Sequence, residues 1–416
     1  MSLRDEIVVT GMGVVSPIGI GVEAFGQSLW EGRCGVGPIQ AFDSSTLPIH
    51  IAAEVTDFEP KEHVRPRKSL KIMARDAQFA VTAAGMALKQ ADFPEGHYHP
   101  ERIGVLFGAD IIRLPIVESA PSWKASIVAD CMDIGVWGAS GMFEGHPLAF
   151  LKHLPNSLAC HASIIYDARG PNNTLQDGAV SSLCAIAEGV RVIERGQADS
   201  VIVGGASSRL HPLDWVRSCL GEELAVPLNG SIRQPRPFDA LRGGMVRGEG
   251  GAAFVLERRD DAQARGATIL ARILGSGTAW APGGDSIRLA IRRALTSGKR
   301  DAADVGFVSA HGLGTIELDQ QEAQAVVDEL GDVPVTAFKS YFGNLYSACG
   351  AMETAATLVS LQRGCVPPIL NYEKPDPNCP IRAVVGEPLA SSPSLALTLS
   401  ATTHHQAAAM LFALPE

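Results

Sequence analysis

Short β-rich apolar runs alternate with helical patterns along the whole chain, and this feature restricts the fold more than any other. The runs occupy residues 7–10, 103–107, 201–203, 253–256, 305–309 and 335–338. Glycine and proline punctuate the chain, and no low-complexity linker divides it. This alternation predicts an α/β protein with layers of helices around a buried mixed sheet. Residues 7–13 and 307–314 both resemble a strand that enters a glycine-spaced loop, a weak echo that fits a duplicated fold.

Composition and charge exclude several classes of protein. Charged residues make up 19% of the chain and hydrophobic ones 46%, as in globular proteins. The net charge of -10 disfavours a general nucleic-acid partner, because such proteins present a broad basic face. Residues 1–8 lack the apolar core of a signal peptide, and the apolar run 407–414 is too short to span a bilayer. We therefore expect a cytoplasmic protein with no membrane segment.

The cysteines give no sign of a metal or redox site. Eight of them are spread over the chain, and no two form a C-x-x-C pair. Such scattered thiols are typical of buried packing in a reducing compartment. We expect neither a metal nor another cofactor.

Residues 170–208 are the most informative stretch. A Gly-Pro-Asn turn and a short extended piece at 174–176 come before a helical pattern that begins near Ala179 and ends near Gly196. A strand and a glycine loop follow at residues 198–205. Ala179 is thus expected at a sharp strand-to-helix turn, where backbone N–H groups of the helix start face a pocket.

Several further motifs occur in a fixed order along nearly the whole chain. They are IVVTGMGVVSPIG at 7–19, GPNNT at 170–174, RPFD at 236–239 with Arg242 and GEG at 248–250, AHGLGT at 310–315 with Asp319 and Glu322, KS at 339–340, PP at 367–368, Asn371 and PDP at 375–377. Together they resemble the β-ketoacyl-acyl carrier protein synthases of the type II elongating class. The resemblance implies a thiolase fold, with two duplicated halves forming a five-layer α-β-α-β-α core. The halves would span residues 1–255, with capping insertions, and 256–416.

The sequence departs from the family at the positions that carry the chemistry. Counting from GPNNT puts Ala179 at the place of the nucleophilic cysteine, and Cys184 lies more than a helical turn further on, where we interpret it as a core-facing thiol. Asn344 stands where the family has its second active-site histidine. The glycine-rich loop that forms half of the oxyanion hole and gates the pocket is replaced by Thr402, Thr403, His404 and His405.

These departures separate two reactions of the family. Condensation needs a thiolate to accept the acyl group, and alanine has none. Decarboxylation of a malonyl carrier needs only donors aimed at the enolate oxygen, which His311 and the Asn344 amide could supply. Lys339 and Glu322 match positions that set the charge around these donors, or they survive only as a structural ion pair. His404 and His405 either fill the loop or replace the lost imidazole.

A basic segment suggests a protein partner. Residues 65–75 hold five cations and no acid, and acyl carrier proteins are strongly acidic. Such a run is either a solvated face or a carrier-docking patch. The five cations are Arg65, Arg67, Lys68, Lys71 and Arg75.

Three functions remain open from the sequence. The first is a non-condensing partner subunit resembling the chain-length factors, which also lack the cysteine but usually carry glutamine where this chain has Ala179. The second is a malonyl-acyl carrier protein decarboxylase that uses His311 and Asn344. The third is a pseudoenzyme that binds acyl chains or carrier protein. The resemblance implies a homodimer, or a heterodimer with an active ketosynthase.

Overall fold

The structure is a computed structural model that describes residues 6–94, 96–226 and 234–415. Residues 1–5, part of the N-terminal stretch considered as a signal peptide, lie outside these residues. The strands are β1 (Ile7–Ser16), β2 (Gly19–Ile20), β3 (Val36–Pro38), β4 (Ile51–Ala53), β5 (Ile103–Gly108), β6 (Ile127–Val128), β7 (Cys131–Met132), β8 (Asn172–Leu175), β9 (Ser200–Ser208), β10 (Glu249–Arg258), β11 (Ala271–Trp280), β12 (Phe307–Ser309), β13 (Pro334–Thr336), β14 (Cys365–Val366), β15 (Arg382–Ala383), β16 (Leu389–Ala390), β17 (Leu395–Ala401) and β18 (Gln406–Ala413).

Helices separate most of these strands along the chain. They are α1 (Val22–Trp30), α2 (Pro60–His63), α3 (Arg75–Gln90), α4 (Ile116–Lys124), α5 (Ile134–Ala139), α6 (Ala149–His153), α7 (Ser157–Ile165), α8 (Ser181–Glu194), α9 (Pro212–Gly221), α10 (Arg259–Ala264), α11 (Asp285–Gly298), α12 (Ile316–Leu330), α13 (Lys339–Phe342) and α14 (Cys349–Arg363). Within the described ranges, no helix combines the length and apolar character needed to cross a bilayer.

The main sheet repeats one pattern of strands twice. The order β8-β5-β9-β10-β1 has two parallel pairings followed by two antiparallel ones. The order β13-β12-β17-β18-β11 has the same sequence of directions. The two sets meet where β1 pairs with β11, from Ile7 opposite Ile273 to Val9 opposite Ala271. The chain is therefore a duplicated fold.

The duplication differs in detail from the echo seen in the sequence. β12 occupies the place of β5 in its half, whereas the counterpart of β1 is β11. The weak echo between residues 7–13 and 307–314 therefore does not join corresponding strands, although the fold is duplicated. Residues 307–309 form β12 and a glycine loop follows, whereas residues 7–13 lie wholly within β1, so the glycine-spaced loop expected at Gly11 and Gly13 is not found.

Two helices form the central layer of the molecule. α8 and α14 pack against each other and against strands of both halves, while α3 with α7 and α11 with α12 cover the outer faces. Every residue of α14 from Cys349 to Leu361 is buried, as expected for a helix surrounded by protein. Gly350 allows the close approach, since an added Cβ there would lie 2.5 Å from Leu183 Cγ on α8. These layers give the five-layer thiolase arrangement.

The elements around Ala179 follow the sequence prediction closely. A 3-10 turn, Gly178–Val180, comes first and α8 then begins at Ser181, two residues later than expected. α8 ends at Glu194, and Gly196 follows with a φ of 69°.

The proposed division of the chain between residues 255 and 256 falls inside β10, and this strand belongs to the sheet of the first half.

Candidate active site

Ala179 lies on the wall of a cavity of 780 Å³. The turn that carries it is held by Ser181, whose Oγ accepts the N–H of Asp177 at 2.8 Å and donates to the Gly178 carbonyl at 2.6 Å. Gly178 has a φ of 62°, a conformation that favours glycine. The cavity brings together seven of the residues expected from the sequence: Ala179, His311, Asn344, Thr402, Thr403, His404 and His405.

His311 is held as a neutral imidazole. It follows β12, is 1% exposed, and its Nδ1 lies 2.9 Å from Lys339 Nζ. Burial, together with the Lys339 ammonium, lowers the pKa of His311 well below its usual value. Because an ammonium can only donate, Nδ1 must accept, and the ring proton is on Nε2. His311 therefore offers an Nε2–H donor to the cavity that it lines.

Lys339 belongs to a buried ion pair with Glu353. Their side chains are 2% and 0% exposed, and Lys339 Nζ also donates to the His311 carbonyl at 2.7 Å. Burial opposes the charge of Lys339, but neighbouring groups including Glu353 hold its pKa above the usual value. The alternative that Lys339 and Glu322 form the structural pair is wrong. Glu353 was missed by the sequence reasoning, although a single acid inside the small and apolar stretch 349–361 was a signal for it.

Glu322 positions the loop that carries His311. On α12 and fully buried, it accepts the backbone N–H groups of His311 at 2.6 Å and Gly312 at 2.8 Å. Burial raises the pKa of Glu322 to about 8. One turn earlier, Asp319 accepts the N–H of Gly314 at 3.0 Å, and burial raises its pKa to about 6. Glu322 thus acts on the site through the backbone.

The Asn344 amide has a fixed orientation. Its Oδ1 accepts the N–H of Tyr346 at 3.2 Å and the thiol of Cys349 at 3.0 Å, which places Nδ2 on the other side. Nδ2 donates to Met245 Sδ at 3.0 Å. An amide nitrogen carries two hydrogens, so one N–H remains as a donor. Asn344 is 5% exposed and lines the cavity.

The segment 402–405 is the loop that joins β17 to β18. It is closed by the Thr402 N–H to the Gln406 carbonyl at 2.9 Å, and His405 has a φ of 65°. The loop lies against the turn that bears Ala179, since a Cβ added to Gly178 would lie 3.4 Å from Thr402 Cγ2. His404 is exposed and His405 half-buried. Both line the cavity, and among the residues that the structure describes neither ring has a neighbour that assigns it a chemical role.

The cavity also has charged walls that the sequence reasoning missed. Arg209, Asp110, Glu222 and Tyr346 all line it, outside any family motif quoted above. They come from four different segments, and their proximity follows from the packing of β5, β9, α9 and the turn before α14. Hydrophobic periodicity carries no signal for such a cluster.

Four of the five cations of the basic segment 65–75 are exposed, and the fifth, Arg75, forms an ion pair inside the protein. Arg75 starts α3, and its Nη2 lies 2.7 Å from Oε1 of the buried Glu249. Its guanidinium also lies 4.8 Å from the centre of the Phe79 ring. Arg75 therefore does not belong to the exposed patch, which consists of Arg65, Arg67, Lys68 and Lys71.

The duplicated layers and the site define a class of protein. Helix α8 begins beside a cavity that contains a buried histidine and an asparagine, in a fold shared with the thiolase-fold ketosynthases. The family model described as "Beta-ketoacyl synthase, N-terminal domain" matches residues 4–262, and "Beta-ketoacyl synthase, C-terminal domain" matches residues 267–373. The chain belongs to the β-ketoacyl synthase family.

Similar proteins cover nearly the whole chain. The 3-oxoacyl-[acyl-carrier-protein] synthase 2 of Synechocystis sp. is 31% identical over 409 residues, 95% of each chain. The tetracenomycin polyketide synthase ketoacyl synthase alpha subunit of Streptomyces glaucescens is 32% identical over 90% of this chain and 89% of its own. The structure named "The ishigamide ketosynthase/chain length factor" has a TM-score of 0.87 at 28% identity, covering 99% of this chain and 100% of that one. The chain is thus a ketosynthase-like protein of fatty acid or polyketide synthesis.

Proposed function

We propose that the chain is a non-condensing partner subunit of a ketosynthase, similar to the chain-length factors. Ala179 carries this proposal, because a methyl group at the nucleophile's place cannot form an acyl-enzyme. Cys184 is a poor replacement. It packs against the core, and burial and Asp177 raise the pKa of its thiol to about 11, which leaves little thiolate at neutral pH.

A surface suited to a partner supports the proposal. β8 is the edge strand of the main sheet, so one side of its backbone is available for pairing. The segment between β5 and β8 exposes large apolar side chains that soluble monomers rarely present together. They include Val117, Ile134, Phe143, Phe150 and Ile164, all at least 69% exposed. An active ketosynthase is the proposed partner, and the name of the similar ishigamide structure joins a ketosynthase to a chain length factor.

Co-expression with an active ketosynthase tests the partner role. Native mass spectrometry should show a mixed dimer. Ile164→Asp, which puts a charge on the proposed interface, should abolish it. Val385→Asp is the matched control, because Val385 is also exposed but lies beside β15 at the opposite edge of the sheet. Exclusive homodimers would contradict the proposal.

The exposed patch of Arg65, Arg67, Lys68 and Lys71 is the proposed docking site for an acyl carrier protein. Four neighbouring cations on a protein of net charge -10 give a local field that attracts an acidic partner and orients it. The similarity to a 3-oxoacyl-[acyl-carrier-protein] synthase supports this assignment.

A malonyl-carrier decarboxylase is the second candidate, and the donor pair favours it. The His311 Nε2–H and the free N–H of Asn344 both belong to cavity residues, and donors of this type stabilise an enolate oxygen without any nucleophile. Loss of carbon dioxide from malonyl carrier protein, followed by the mass of the carrier, would support it. His311→Ala should then abolish the loss, since removal of one such donor costs about 2.7–4 kcal/mol. Unchanged malonyl carrier would refute this candidate.

A further inference from the structure

Hydrogen bonds within the hairpin of β17 and β18 close the loop 402–405 on itself. The N–H of Thr402 donates to the Gln406 carbonyl at 2.9 Å, and the N–H of His405 donates to the Thr402 carbonyl at 3.2 Å. The Thr402 hydroxyl accepts the N–H groups of His404 at 3.3 Å and Gln406 at 3.2 Å. A loop that swung away from the cavity would break these bonds and leave their N–H groups to find other partners.

The neighbouring strand β11 also holds the loop. β11 pairs with β18 as far as Trp280, which lies opposite Gln406. Beyond this pair the N–H of Ala281 donates to the His405 carbonyl at 3.1 Å, and the indole Nε1–H of Trp280 donates to the His404 carbonyl at 3.2 Å. The first bond continues the backbone ladder of the sheet, whereas the second is made by a side chain. The loop is therefore attached to a strand outside its own hairpin.

Burial does not account for the position of the Trp280 side chain. Trp280 is 66% exposed, although a tryptophan can bury a large apolar area. Its indole N–H can only donate, and the acceptor that it reaches is the backbone carbonyl of His404. The contact that Trp280 makes with the loop is thus a hydrogen bond to the backbone, and the ring of His404 takes no part in that bond.

The closed loop lies against the turn that bears Ala179. Both β17 and β18 contact this turn, Gly178–Val180, at the ends that the loop joins. The Cγ2 of Thr402 lies 3.4 Å from the place that a Cβ on Gly178 would occupy. Movement of the loop would therefore uncover the nucleophile's position.

The residues of the loop suit one conformation better than a hinge. His405 has a φ of 65°, which is uncommon for a residue other than glycine. Glycine is the residue that passes most readily between such conformations, and residues 402–405 contain none. A change of conformation at these residues is therefore more restricted than in a glycine-rich loop.

We propose that the loop 402–405 stays closed over the Ala179 turn and does not act as a gate, and that Trp280 keeps it closed through the bond to His404. Trp280 is thus a positioning residue for the wall of the cavity. The proposal rests on the contacts of the loop alone, and it holds whichever of the functions above the chain performs.

Hydrogen–deuterium exchange of the isolated full-length chain tests whether the loop stays closed. Bonded N–H groups exchange only when their structure opens, so peptides that cover residues 402–406 should exchange at least about ten-fold more slowly than a free synthetic peptide of residues 398–410. A gate that opens readily would exchange at nearly the rate of the free peptide, and that result would overturn the proposal.

Two variants test the role of Trp280 by the same measurement. Trp280→Phe keeps an aromatic ring and removes the indole N–H, and the loss of one hydrogen bond should speed exchange in residues 402–406 by about five-fold. Trp123→Phe is the matched control, because Trp123 is also exposed but lies on α4, and it should leave this exchange unchanged.

Equal exchange in folded Trp280→Phe and in the wild type would refute the role of Trp280. If that variant does not fold, the comparison of the wild type with the free peptide still decides whether the loop stays closed. Absence of a mixed dimer would refute the partner role but leave these results standing.

Discussion

The buried ion pair between Lys339 and Glu353 gives the sharpest stability prediction. The side chains are 2% and 0% exposed, and the other hydrogen bonds of Lys339 Nζ go to His311. Glu353→Gln removes the negative charge but keeps the shape of the side chain. The ammonium is then left buried without its counter-charge, which costs about 3–5 kcal/mol. We expect the free energy of unfolding to fall by that amount.

Urea denaturation followed by circular dichroism measures this loss. Glu31→Gln is the control, because it breaks an Arg33–Glu31 pair of 2.7 Å whose side chains are 60% and 42% exposed, and it should leave stability unchanged. The double variant Lys339→Met with Glu353→Gln should be less destabilised than Glu353→Gln alone, since no unpaired charge remains. If Glu353→Gln lowers the free energy of unfolding no more than Glu31→Gln does, Glu353 does not supply the counter-charge that stabilises the buried Lys339 ammonium.

The remaining predictions concern the cavity, pH and the patch. Ala179→Cys should be labelled by a cerulenin-like acyl epoxide, and a folded variant without label would mean that residue 179 does not face the cavity. The lowered pKa of His311 means that the neutral ring stabilises the native state above pH 6.5, and this contribution is lost as the pH falls toward the lowered pKa, at up to about 1.4 kcal/mol per pH unit. His311→Asn should therefore flatten the fall in stability below pH 6.5 in denaturation experiments, and an unchanged slope would count against a neutral buried ring. Arg67→Glu should weaken binding of acyl carrier protein in surface plasmon resonance without changing Tm, whereas Arg75→Gln should lower Tm because it breaks a bond to a buried carboxylate. Equal carrier affinity in Arg67→Glu and the wild type would remove the patch as a docking site.

The sequence predicted the fold and the position of Ala179 well, for a physical reason. Strand runs, glycine turns and the apolar face of α8 are local patterns, and local patterns specify the elements directly. His311 and Asn344 were expected in one site because of the resemblance to the β-ketoacyl synthases, and not because of any local pattern. The structure does bring them together around Ala179.

Pairings between distant segments could not be predicted in the same way. The partner of Lys339 depends on which face of α14 turns toward α13, and this rotation places Glu353, not Glu322, against the ammonium. Arg75 forms an ion pair with Glu249 because α3 packs against β10. The run of cations in the sequence does not reveal this packing. The cluster around Arg209 likewise arises only when separate segments have packed.

The central claim is that the chain cannot form an acyl-enzyme, and intact-protein mass spectrometry tests it most directly. The purified protein is incubated with acyl carrier protein that bears an acetyl group as a thioester. An active ketosynthase is treated in the same way as the positive control. The account predicts that the ketosynthase gains an acyl group and that this chain gains none. A stable acyl adduct on this chain, at Cys184 or at any other residue, would contradict the account.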